Sequence, residues 1–133
     1  MTAADPSEFL AKGKEFPEFG LDLGSDRVAT YRAATGDQAT PEHLVPPAAI
    51  LAFSLQPLLA DLSLLSGAIH TGQEMEMHRV VALGERLNAR LKVVNSSQRG
   101  GALFAVIEQL ICDEAGQPVV KGRSNVIVGQ GSE

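Results

Sequence analysis

The sequence predicts an α+β domain in which one long buried helix is wrapped by a curled antiparallel β-sheet. Three observations carry this. The segment "PPAAILAFSLQPLLADL" spreads Ile50, Leu51, Phe53, Leu55, Leu58, Leu59 and Leu62 around most of a helical circumference, so the helix is enclosed rather than half exposed. After Gly67 the hydrophobic period changes from near 3.6 to 2 and stays there. The segments of period 2 are joined by short turn-like connections, as in an antiparallel sheet.

In chain order, the first residues are polar, giving an expected division into a flexible N-terminus at 1–15, a single domain at 16–129 and a C-terminal tail at 130–133. A short extended piece ends at Gly24. A helix follows with Ser25 as its expected N-cap and Asp26 in the first turn, where a carboxylate favours the positive end of the helix dipole. Val28, Tyr31 and Arg32 fall at helical spacing, and Gly36 is the expected left-handed residue that ends the run. "QATPEHLVPP" is loop. Pro46 and Pro47 suit the entrance of the long helix, where a missing N–H leaves nothing unpaired, and Pro57 is expected to kink or end its first half.

Four strands follow. "IHTGQEMEMHRVV" alternates, with His70, Gly72, Glu74, Glu76 and His78 in one set and Ile69, Thr71, Gln73, Met75 and Met77 in the other. The expectation is that Met75 and Met77 pack on the long helix while Glu74, Glu76 and His78 face solvent or a partner. "ERLNARLKVV" puts Leu87, Ala89, Leu91 and Val93 on one face; "GALFAVIEQLICD" is almost continuously apolar; "QPVVKGRSNVIVG" alternates again. The connections read as "ALGE", "NSSQRGG" and "DEAGQ", the last with Gly116 placed for the left-handed position of a bulged hairpin. A short strand, a helix, a loop, a buried helix and a four-strand meander together describe the hot-dog fold, with a cystatin-like roll as the alternative.

Composition narrows the function classes. At 133 residues the chain is the size of one domain, with 44% hydrophobic residues, no Trp and one Tyr, so the core is aliphatic and stacking platforms for bases are scarce. The formal charge of −5 and the single scattered bases argue against nucleic acid or an anionic membrane as partner. The N-terminus lacks the basic and apolar regions of a secretory signal, and the longest apolar run is interrupted by Ser, Gln, Asp and Pro. One cysteine, Cys112, makes no internal disulfide, and a reducing cytoplasm is the expected compartment.

Each candidate for chemistry has a plain structural counterpart. His70 and His78 are eight residues apart on a strand rising about 3.3 Å per residue, hence roughly 26 Å apart, and cannot share a metal ion. Glu76 and His78 are only two ligands, so no metal is expected. Asp37, Glu42 and His43 precede the long helix, where a carboxylate and an imidazole could activate water and helix N–H groups could hold an oxyanion. An Asp after "TG" is equally a turn-closing residue. Cys112 sits in an apolar strand without a base and reads as a packed thiol, while Ser96 and Ser97 are expected in a hairpin connection with no nucleophile elbow around them. Small Ala48, Ala49 and Ala52 near the helix entrance would leave room for a bulky group.

These segments also carry a family resemblance. "YRAATGD", the "VPPAAI" helix, "IHTGQEMEMHRVVALGERL" and "DEAGQPVVKGRSNVIV" resemble the N-terminal half of MaoC-like double hot-dog proteins, the R-specific enoyl-CoA hydratases and (3R)-hydroxyacyl-thioester dehydratases. The likeness runs from about Pro17 to Val128. Catalytic halves of that family carry G-D-x-N-P-x-H-x-D, whose Asp and His activate a water for addition to an enoyl thioester. Here "GDQATPEHLVPP" has no Asn-Pro, and His43 comes six residues after Asp37 instead of five. The resemblance implies the non-catalytic type of half, acting on an acyl-CoA or acyl-carrier-protein thioester without a cofactor. It also implies a homodimer or a heteromer with a separate catalytic hot-dog chain. Asp37 and His43 remain the catalytic candidates for an autonomous dehydratase, and Asp37 or Glu42 for a thioesterase; sequestration of an acyl ligand without chemistry is the third possibility. Pro47, Ala49 and Phe53 are the expected substrate-binding residues.

Overall fold

The computed structural model describes residues 6–62 and 68–129. Its elements are α1 (Pro6–Phe9), β1 (Phe19–Leu21), α2 (Ser25–Thr35), α3 (Pro47–Leu62), β2 (Ala68–Met77), β3 (Leu87–Arg99), β4 (Ala102–Cys112) and β5 (Pro118–Gly129). The change of period at Gly67 and the tail at 130–133 lie outside the described residues, as do residues 1–5 of the expected flexible N-terminus.

The strands form one antiparallel sheet in the order β1-β3-β4-β5-β2, and α3 packs against β1, β3, β4 and β5. This is the hot-dog arrangement. Its core lies between α3 and the inward rows of the strands: Leu87, Ala89, Leu91 and Val93 of β3, Leu103, Ala105, Ile107 and Ile111 of β4, and Val120, Val126 and Val128 of β5. Burying a side chain of this size contributes about 1.5–3 kcal/mol, which is why alternation fixes which face of each strand turns inward.

Only three of the four later strands form a meander. β2 pairs with β5 at the far edge instead of with β3, from Ala68 opposite Val128 to Met77 opposite Val120. The segment after β2 is therefore no hairpin. It crosses the entrance of α3, where Val45 N–H donates to the Val81 carbonyl at 2.8 Å, Leu83 N–H to that of His43 at 3.0 Å and Gly84 N–H to that of Leu23 at 2.9 Å. The expected "NSSQRGG" connection is also shorter than read: Ser96 and Ser97 belong to β3, and Gly100 and Gly101 alone make the turn, with φ of 54° and 82°. Two adjacent left-handed residues match the twist of a tight hairpin, and glycine alone takes them without strain.

At the helix ends, Gly36 is left-handed as expected, with its N–H on the Arg32 carbonyl. Gly24 rather than Ser25 occupies the N-cap of α2, and the Asp22 carboxylate accepts its N–H at 3.0 Å. Pro57 does not end α3, which runs on to Leu62.

The N-terminal segment is more ordered than its polarity suggests. Leu10 is fully buried, Phe9 and Phe16 meet edge to face, and Gly13, Lys14 and Phe16 exchange backbone hydrogen bonds with Val93 and Leu91. Residues 13–16 and β1 thus cover the outer edge of β3. Among the described residues nothing covers the outer edge of β2.

Candidate functional site

The loop between α2 and α3 holds the acid and imidazole read from the sequence, and its geometry assigns them different work. Asp37 turns its carboxylate back on its own loop, accepting from Ala39 N–H at 2.9 Å, Thr40 N–H at 3.2 Å and the Thr40 hydroxyl at 2.9 Å. Those bonds, the Thr40 amide foremost and then its hydroxyl, hold the carboxyl below the usual carboxylate range, with smaller help from Ala39 and Arg32. That direction opposes general-base chemistry near neutrality. His43 is exposed and takes part through its backbone carbonyl, and among the described residues no hydrogen bond or ion pair joins it to Asp37. Glu42 is exposed as well.

Arg32, which sequence reading placed only on the helical face of "YRAAT", clamps this loop. Its guanidinium donates to the carbonyls of Thr40 at 2.8 Å, Pro41 at 2.7 Å and Leu44 at 2.7 Å. A planar fork of five donors suits several converging carbonyls, and the pattern was invisible without the loop's path.

The expected substrate-lining residues sort differently from the sequence reading. Ala49 is fully buried and Phe53 nearly so, with the Phe53 ring edge to face on Tyr31 and the Arg27 guanidinium 4.4 Å above it. Both face the core side of α3. Pro47, half-buried, opens the helix. The open side of α3 is instead the stripe Ala48, Ala52 and Gln56, one turn apart along the helix.

Beside that stripe runs a groove of about 370 Å³ between α3 and β2, lined by Ala48, Leu51, Ala52, Leu55, His70, Gln73 and Met75. Met77 packs on the core and Met75 turns the same way, as expected, but Met75 is 47% exposed because the groove is open there. Glu74 and Glu76 face outward opposite Arg123 and Lys121, and the His78 Nε2 lies 2.7 Å from Glu76.

His70 departs from the sequence reading. Strict alternation put it on the outward face with Glu74 and Glu76. The pairing with β5 shifts between His70 and Gly72, a β-bulge, so His70 lies opposite Val126 on the helix side while Gly72 lies opposite Asn125 on the outer side.

Behind the groove, a chain of polar side chains crosses the core. Ser54, Gln109 and Ser124 are fully buried. The Gln109 amide nitrogen donates to the Ser54 hydroxyl at 2.8 Å and the Leu51 carbonyl at 3.3 Å, and its oxygen accepts from Gln73 Nε2 at 2.9 Å and Ser124 at 2.8 Å. Both protons of the Gln109 amide are used, and the single Ser124 hydroxyl proton lies between the Gln109 and Gln73 oxygens. Gly122 makes room for this: a Cβ there would sit 2.7 Å from Gln109 Oε1 and 2.9 Å from Gln73 Nε2.

The other family-like strings have structural roles. Arg79 reaches both carboxylate oxygens of Glu85 and, at 3.4 Å, Asp113, whose carboxylate also accepts from Ala115 and Gln117 to close the last hairpin. Among the described residues no group of three or more His, Cys, Asp or Glu is placed to hold a metal ion, and no helix is long and apolar enough to cross a membrane.

Fold and site together define a hot-dog domain with an apolar groove beside an unpaired sheet edge. Residues 30–122 match the family model of the FAS1-like dehydratase domain region, and the chain belongs to that family, a MaoC-like hot-dog family. No curated protein matches the chain. Among solved structures, the C-terminally truncated HadBC (3R-hydroxyacyl-ACP dehydratase) complex from Mycobacterium tuberculosis is similar at 16% identity and a TM-score of 0.68, over 87% of this chain and 96% of that one. The monoamine oxidase regulatory protein from Archaeoglobus fulgius is similar at 14% identity and a TM-score of 0.74, over 99% of this chain and 100% of that one. The ChsH1-ChsH2 complex from Mycobacterium tuberculosis is similar at 14% identity and a TM-score of 0.67, over 95% of this chain and 94% of that one. At these identities the similarity concerns the fold.

Proposed function

We infer that the chain is the substrate-accommodating, non-catalytic subunit of an (R)-specific enoyl-thioester hydratase or 3-hydroxyacyl-thioester dehydratase. It pairs through β2 with a catalytic hot-dog chain and lends the groove between α3 and β2 to the acyl tail. The observation that carries this reading is the loop before α3: the Asp37 carboxylate is spent on Ala39 and Thr40, and no bond links it to His43 among the described residues.

The unpaired edge supports the pairing. A bare strand edge flanked by apolar side chains is a template for another chain, and Ile69 and Met75 on β2 are 58% and 47% exposed. The similar HadBC and ChsH1-ChsH2 structures are each a complex. The test is hydration of crotonyl-CoA by the purified chain, followed by ultraviolet loss of the enoyl thioester. The reading expects no turnover from the chain alone; robust turnover without a partner, lost in Asp37→Asn, would establish the autonomous enzyme in its place.

A further inference from the structure

We propose that His70 and Gln73 form a polar pair in the groove that recognises a hydroxyl group on the acyl tail beyond the reacting carbons 2 and 3, which gives this subunit a preference for tail-hydroxylated acyl thioesters. The inference rests on the acyl-accommodating reading above.

The groove's other lining residues are Ala48, Leu51, Ala52, Leu55 and Met75, so among the described residues its polar side chains are His70 and Gln73. An apolar pocket with a few converging polar groups is the usual form of a small-molecule site, in which those groups set orientation and selectivity. Two independent features place them there. The bulge between His70 and Gly72 re-aims the imidazole from the outer face into the groove; a bulge is a recurrent way of directing a side chain into a site. The core network then locks the amide of Gln73, whose nitrogen donates to Gln109 Oε1 at 2.9 Å and to the Glu74 carbonyl at 2.8 Å.

That lock decides what the pair can bind. Both amide protons of Gln73 are used, and its oxygen accepts at most the one Ser124 proton, which it shares with the Gln109 oxygen. What remains for a ligand is an acceptor site on the Gln73 oxygen. The imidazole of His70 offers an N–H donor. A hydroxyl satisfies both, giving its proton to Gln73 and accepting from His70; a ketone has no proton to give, and a methylene leaves both groups unpaired. Desolvating such groups without a partner is what makes a hydrogen-bonding site reject the bare analogue.

The experiment compares binding of octanoyl-CoA with hydroxyoctanoyl-CoA isomers, the hydroxyl at successive carbons from C4 outward, to the full chain alone and with an inactivated catalytic partner present. One isomer is expected to bind about tenfold tighter than octanoyl-CoA, the worth of one good hydrogen bond. His70→Ala should bring that ratio to near one, and His70→Gln, which keeps a donor, should restore part of it. A ratio near one in the wild type, or one unchanged in His70→Ala, overturns the proposal and leaves the acyl-subunit reading standing. No binding of any thioester, with the partner present, overturns that reading itself.

Discussion

Replacing Gly122 with alanine puts a methyl group into the point where three elements converge. The added Cβ would lie 2.7 Å from Gln109 Oε1, 2.9 Å from Gln73 Nε2 and 2.9 Å from Leu51 Cδ2, on β4, β2 and α3 in turn. Real Cβ atoms do not approach other heavy atoms this closely, so either β5 shifts or the Gln109 amide gives way. Overpacking of a filled core costs about 1–3 kcal/mol. If Gln109 is displaced, Ser54 keeps its bond to Leu51 and Ser124 its bond to Gln73, but one or both of their bonds to Gln109 are lost, at about 1 kcal/mol more for each.

The expected destabilisation is then about 2–5 kcal/mol, or roughly 10–20 °C in Tm for a domain of this size. Circular dichroism melts at one fixed protein concentration measure it, fixed because association would itself shift Tm. Gly20→Ala is the control, since its Cβ meets nothing closer than Asn88 Oδ1 at 3.7 Å. A Gly122→Ala melt within about 2 °C of wild type would refute the claim that the Gln109 network is tightly packed.

The remaining predictions concern the loop and the edge. Because the folded state holds the Asp37 carboxyl below its usual value of 3.8, its contribution to stability is present above that value and disappears as pH falls through the lower folded value. The gap in urea midpoint between wild type and Asp37→Asn should therefore be seen at neutral pH and close in acid; a gap that widens in acid would contradict the loop-closing role. Arg32→Ala frees the carbonyls of Thr40, Pro41 and Leu44 and should raise limited proteolysis within 37–44 severalfold, whereas Arg32→Lys, lacking the planar fork, should restore only part of the protection. Met75→Lys charges the groove wall beside the bare β2 edge and should weaken association at least about tenfold by sedimentation, with the fold intact by circular dichroism. Unchanged association would move the interface elsewhere.

Much of this architecture was legible locally, because it is written in periodicity and end signals. The enclosed face of α3, the left-handed Gly36 and Gly116 and the inward rows of β3, β4 and β5 depend on neighbours in sequence. What escaped depends on distant ones. No local signal sends β2 to β5, since pairing with either strand satisfies its alternation. A bulge at Gly72 inverts the parity of His70, and strict counting carried that residue to the wrong face. The cover of β3's edge by residues 13–16 is made by backbone groups, which any sequence possesses.

The site was harder to read than the fold. Asp37 and His43 stood out by type, an Asp after "TG" reads equally as catalytic or turn-closing, and the hydrogen bonds show that Asp37 serves its own loop. Ala49 and Phe53, read as tail-lining helix positions, are buried on the core side of α3, whose facing toward the sheet is not written in sequence, and Ala48 and Ala52 line the groove. One signal for the core network was available: Gln109 interrupts the apolar run "GALFAVIEQLIC", and Ser54 interrupts "AILAFSLQPL". A polar residue in each of two buried elements asks for a common partner.

The central claim is that this chain accommodates substrate while another chain does the chemistry. Titrating it into a fixed amount of a catalytic MaoC-type partner, with crotonyl-CoA turnover as the readout, tests that most directly. No rate is expected from this chain alone, and with the partner the rate should climb to a plateau at one equivalent of this chain per catalytic chain. A rate that keeps rising in proportion to this chain, with or without the partner, would contradict it.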